Sequence, residues 1–341
     1  VISRVADHCF WFGRYLERAE STARVLAVTG NLSRDAELTP EQCWLPVVIV
    51  SGERAHFAEK YGLDAARSGE VVERYMTWDE DNLTSIVRSV ASARENARSI
   101  REVVSIEAWE TVNELYLWTS APEARVQYGE DRIGFYRHVR RAVQLCLGLL
   151  RSTMLHDTPL DFIWLGVMLE RLGQTARVLD VHHHAFTRLV NREEVVETAL
   201  WLSLLRACSG YEPFMKRWQG RVGGDAVASF LIFEPAFPRS IRFCLEAADD
   251  RLRHIRPPEQ PSLPGAESAA RLGALVAWLR ARSADPLPSD VHDLLTHVVD
   301  EAAAVGNALS TELFGYGPVT LPAPSPQPSP AGADRMTGSQ A

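Results

Sequence analysis

The chain has 341 residues, of which 46% are hydrophobic, enough to bury a large core as one big domain or two fused ones. Its formal net charge of −8 and pI near 5.7 argue against a nucleic-acid role, because phosphate binding needs a concentrated basic surface. Lysine occurs only as Lys60 and Lys216, neither in a Gly-Lys-Ser/Thr context, so a P-loop is excluded.

In chain order the periodicity is helical. Val5, Cys9, Phe12, Leu16, Ala19, Ala23 and Leu26 recur at steps of three and four, the stripe of a helix with one buried face. Further helices are predicted at about 41–60, 82–104, 105–120 and 131–155. Phe162, Leu165, Leu169, Leu172, Ala176 and Leu179 then repeat the first stripe, and helices follow at about 194–218, 238–255, 267–283 and 289–313. Asn82 and Asp290 are the expected caps, and Pro238 fits a first helical turn. The β-prone run Val47-Val48-Ile49-Val50 lies inside a helical period, and no alternating run bounded by turns suggests a sheet. From Gly317 the chain is rich in Pro, Ser, Ala and Gly, and a disordered tail is expected over 317–341.

An internal repeat organises these elements. Residues 11–28 and 164–181, offset by 153, share Trp, Gly, Leu-Glu-Arg, Thr-Ala-Arg-Val-Leu and the last Val. Trp44-Leu45 answers Trp201-Leu202, Ser85-Ile86 answers Ser240-Ile241, and Gly148 answers Gly306. The expected architecture is all-α, a duplicated helical bundle with two pseudo-symmetric halves of about six helices each, residues 1–155 and 156–316, whose first helices pack together.

The five cysteines are scattered among apolar neighbours without a Cys-x-x-Cys pair, which reads as buried thiols in a reducing compartment. No apolar run reaches membrane-spanning length, and Val1 to Asp7 lack the apolar core of a signal peptide, so a cytoplasmic protein is expected.

The repeated charges are the candidates for chemistry. Glu17 and Arg24 lie two turns apart beside the apolar stripe, and Glu170 and Arg177 repeat them. They either face a pocket or form structural ion pairs, Glu17 with Arg177 and Glu170 with Arg24, if the two helices pack antiparallel. Glu20 has no counterpart, since Gly173 stands there. Asp79 and Asn82, in an acidic loop leading into a helix, are further candidates for binding a polar substrate. No metal site is expected: Glu53-x-x-His56 is half of a di-iron motif without its second half, and His182-His183-His184 fan around a helix end.

Ser3-Arg4-Val5-Ala6-Asp7, followed by Phe10-Trp11-Phe12-Gly13-Arg14-Tyr15-Leu16-Glu17-Arg18-Ala19-Glu20 and Thr22-Ala23-Arg24, resembles the bacterial alpha-E family over residues 1–316. The resemblance implies a cytoplasmic helical protein that partners a circularly permuted ATP-grasp protein, often together with a transglutaminase-like protein. ATP-grasp enzymes join a carboxylate to an amine, so it implies an accessory or substrate-binding subunit in amide or peptide-bond formation. ATP and Mg²⁺ are then met through the partner, and no cofactor is expected on this chain. The alternative is an enzyme of the same pathway, with Glu17 or Glu20 as general acid or base and Arg14, Arg18, Arg24, Arg171 or Arg177 binding a carboxylate or phosphate.

Overall fold

The computed structural model describes residues 3–35, 38–187, 194–283, 287 and 291–316. They form fifteen α-helices and one 3₁₀ turn, with no strand among the described residues. The first helix, α1 (Ser3–Asp35), is followed by α2 (Pro40–Ser51), α3 (Arg54–Tyr61), the 3₁₀ turn Leu63–Arg67, α4 (Gly69–Trp78), α5 (Ile86–Ser99), α6 (Ile106–Ser120), α7 (Pro122–Glu130) and α8 (Arg132–Thr153). The chain continues through α9 (Thr158–Thr187), α10 (Glu194–Ala207), α11 (Tyr211–Arg217), α12 (Gly224–Phe233), α13 (Ile241–Ile255), α14 (Ala266–Arg282) and α15 (Val291–Glu312).

Helices are thus shorter and more numerous than the expected six per half, because glycine and proline interrupt the apolar stripes. The helix predicted over 41–60 splits at Gly52, whose φ of 82° ends α2, and Pro122 starts α7 as its first residue. Ser85 rather than Asn82 caps α5, accepting from the Arg88 amide. Ser240 does the same for the Phe243 amide of α13, which leaves Pro238 outside the first turn. Asp290 and the 317–341 tail lie outside the described residues.

Two long helices form the middle of the molecule. α1 packs along α9; α5 and α8 cover the rest of α1, and α13 and α15 cover α9. The outer helices α6 and α14 pack on α5 and α8 and on α13 and α15 respectively. The closest approach is at Gly13 and Gly166, two glycines shared by the repeated segments. A Cβ on Gly13 would lie 2.1 Å from the carbonyl oxygen of Ile163, and one on Gly166 would lie 2.1 Å from that of Phe10. Only glycine lets two helix backbones touch in this way.

α1 is covered on almost every side from Cys9 to Gly30, so it carries polar side chains inward as well as apolar ones. Glu17, Glu20, Ser21, Thr22, Arg24 and Thr29 are all buried. On α9 the buried polar residues include Glu170, Arg171, Thr175 and His182. On a helix surrounded by protein, each buried charge is costly unless it is paired.

Candidate functional site

The buried charges interlock across the α1–α9 seam. Glu17 receives Arg171 Nη2 at 2.7 Å and Arg239 Nη1 at 2.6 Å. Glu170 receives Arg18 through Nε at 2.8 Å and Nη2 at 2.9 Å, and Arg14 through Nε at 2.8 Å. Each helix therefore offers its Glu to the Arg of the other helix's Glu-Arg dipeptide.

These contacts correct the expected pairing of Glu17 with Arg177 and Glu170 with Arg24. Residue numbers rise together along the seam, from Gly13 against Ile163 to Glu17 against Arg171, so the two helices run parallel, not antiparallel. In that register Arg177 lies about 9 Å further along α9 than Arg171. Its Nε donates instead to the carbonyl of Val50 in α2, at 3.1 Å. Arg24 pairs one turn back along its own helix with Glu20.

Glu20 gathers the rest of the centre. Besides Arg24 it accepts Arg239 Nη2 at 3.0 Å and Gln144 Nε2 at 3.1 Å, and Arg140 Nε stands 3.9 Å away. Arg239 is positioned by α9: Arg171 Nη1 donates to the Pro238 carbonyl at 3.1 Å, and Thr175 Oγ1 donates to the Arg239 carbonyl at 3.0 Å. Arg239, Arg140 and Gln144 are the residues that the repeat pattern did not reveal. Each occurs once, outside the repeated segment, and no local signal in the sequence marks them.

Burial alone would push the Glu17 carboxyl up, but Arg171 and Arg239 outweigh it and hold the pKa at about 2. Burial likewise raises that of Glu170, and Arg18 and Arg14 overcome it, placing it far below the usual carboxylate range. Both are fixed carboxylates at neutral pH, poor sources or acceptors of a proton. The thiols of Cys9, Cys146, Cys208 and Cys244 are pushed up to about 12, chiefly by burial, and all five cysteines are free and buried.

The remaining candidates make local contacts. Asp79 pairs with Lys60 at 2.8 Å and accepts from Tyr61 Oη at 3.3 Å. Asn82 donates to the Tyr75 carbonyl at 3.1 Å and accepts from the Thr84 amide at 2.9 Å, so it builds the turn before α5. His182 is buried with Nδ1 2.8 Å from the Val178 carbonyl, not solvated as a helix-end histidine would be, while His183 packs against Trp201. No group of three metal-ligating His, Cys, Asp or Glu side chains converges among the described residues.

A family model matches the chain: Alpha-E, a predicted alpha-helical domain with a conserved ER motif, covers residues 1–314. The chain belongs to the Alpha-E family. Glu-Arg occurs four times in this Alpha-E protein, at 17–18, 53–54, 73–74 and 170–171, and the first and last of these are the dipeptides that interlock. The chain is 26% identical to an uncharacterized protein of Mycobacterium bovis and to one of Mycobacterium tuberculosis, over 90% of its own length. It spans only 36% of the length of each of these relatives. No solved structure matches it. No helix among the described residues is long and apolar enough to cross a membrane.

Proposed function

We propose that this Alpha-E protein is a cytoplasmic accessory or substrate-binding subunit that works with a circularly permuted ATP-grasp ligase in amide or peptide-bond formation. The ligase supplies the ATP and Mg²⁺ chemistry, and a transglutaminase-like protein belongs to the same system. The observation that carries this reading is that the mycobacterial relatives hold the matching segment within chains nearly three times its length, so there it operates as one part of a larger polypeptide. The chemistry of the centre agrees with it. Carboxylates locked between two guanidiniums suit a scaffold or a charged binding surface better than acid–base catalysis.

The same reading takes residues 1–155 and 156–316 as two copies of one unit. Reciprocal contacts support it: Gly13 and Gly166 meet each other's helix, and Glu17 and Glu170 meet each other's arginines. Gly69 lies against the Trp44 ring as Gly224 lies against Trp201.

The test is co-purification of the chain with an ATP-grasp partner encoded beside it, followed by phosphate release from ATP with Mg²⁺ and candidate amino acids or peptides. The expected outcome is a stable complex whose product formation needs both chains. A partner equally active without this chain, or turnover of ATP by this chain alone, refutes the proposal.

A further inference from the structure

The buried centre holds more positive charge than negative. Around α1, the carboxylates of Glu17 and Glu20 face the guanidiniums of Arg24, Arg140, Arg171 and Arg239. Glu17 spends its oxygens on Arg171 and Arg239, and Glu20 spends its own on Arg24, Arg239 and Gln144. Two guanidinium charges are left without a counter-charge of their own.

Donors are left over as well. The Nε–H groups of Arg24 and Arg140 are buried and have no hydrogen-bond partner among the described residues. The Arg24 side chain is 7% exposed, and a donor left unpaired at that depth is unfavourable. Burial, then Arg239 and Arg140, lower the pKa of Arg24 to about 9, so these like charges sit close enough to repel one another.

The geometry points to an oxyanion-binding site at Arg24, Arg140 and Arg239 that takes a carboxylate or phosphate group and is entered from the α8 side. Access follows from the gradient of exposure: Arg24 and Arg239 lie deep, at 7% and 14%, whereas Arg140 is 30% exposed and Gln144, one turn along α8, is exposed. Arg137 on the same helix adds its positive charge to that of Arg140. Guanidinium forks match both kinds of oxyanion through paired hydrogen bonds. The inference goes beyond the ligase partnership, since the site belongs to this chain alone.

The experiment titrates the full chain with inorganic phosphate and, separately, with acetate and succinate at constant ionic strength set with chloride. It follows thermal stability and the arginine Nε–Hε resonances of ¹⁵N-labelled protein. The expected result is saturable stabilisation by one or both anion classes and a shift of the Arg24 and Arg140 resonances. In Arg140→Gln, whose side chain is partly exposed, affinity falls at least tenfold, and in Arg253→Gln, an exposed control on α13, it is unchanged. Response to phosphate alone identifies a phosphoryl ligand, and response to the carboxylates alone identifies a carboxylate ligand. Absence of saturable binding by both, or equal affinity in Arg140→Gln, overturns the proposal. The resonance shifts keep the test decisive if a variant is poorly folded.

Discussion

At the scale of single residues, Glu17 and Glu170 are the charges on which the seam depends. Each is fully buried and each satisfies two arginines, so truncating one strands guanidiniums whose side chains are only 10–24% exposed. Breaking a buried pair from one side costs about 3–5 kcal/mol. We expect Glu17→Ala and Glu170→Ala to lose stability in that range by urea denaturation, with Glu17→Gln losing less because its amide oxygen still accepts one bond. A Glu17→Ala protein as stable as the parent would show that water, not protein, compensates these arginines. Arg271→Ala, in an exposed i,i+4 pair with Glu267, should change stability by less than about 0.5 kcal/mol.

At the scale of elements, the parallel approach of α1 and α9 rests on two glycines. A methyl group on Gly13 or Gly166 meets a main-chain carbonyl, which cannot rotate away as a side chain would. Gly13→Ala and Gly166→Ala are therefore expected to cost about 3 kcal/mol, the upper end of the overpacking range. Gly148 in α8 and Gly306 in α15 have open space at the same position. There alanine only removes backbone freedom from the unfolded chain, so Gly148→Ala and Gly306→Ala should stabilise by about 0.5–1 kcal/mol. Thermal melts of the four variants read both signs in one experiment, and a neutral Gly13→Ala would place the helices further apart than the structure does.

At the scale of the whole molecule, the buried carboxylates set the acid limit. The pKa of Glu17 is about 2 in the folded protein against an ordinary value of 4.5, and that of Glu170 is depressed further still. The unfolded chain thus takes up protons first as the pH drops. The stabilisation from Glu17, on the order of 3 kcal/mol, is complete above pH 4.5 and is lost as pH falls toward 2. The melting temperature should decline steeply between pH 4.5 and 2.5, and Glu17→Gln, which has no proton to take up there, should show a shallower decline. Equal slopes would mean that other groups govern acid unfolding.

The sequence alone determined the helical class and placed a helix along Val5 to Leu26 and another along Phe162 to Leu179, because apolar residues at steps of three and four mark one buried helical face; it did not set the limits of α1 and α9. It also picked out Glu17, Arg18, Glu170 and Arg171, since a repeated Glu-Arg is visible without a structure. Which charge meets which was not legible there. The pattern is the same for parallel and antiparallel helices, and only the tertiary contacts, Gly13 against Ile163 and then Glu17 against Arg171 further along both helices, show that they run parallel. Arg239 and Arg140 were hidden for a related reason. They reach Glu20 from 219 and 120 residues away in the chain, and proximity of that kind exists only once α8 and the start of α13 have packed around α1.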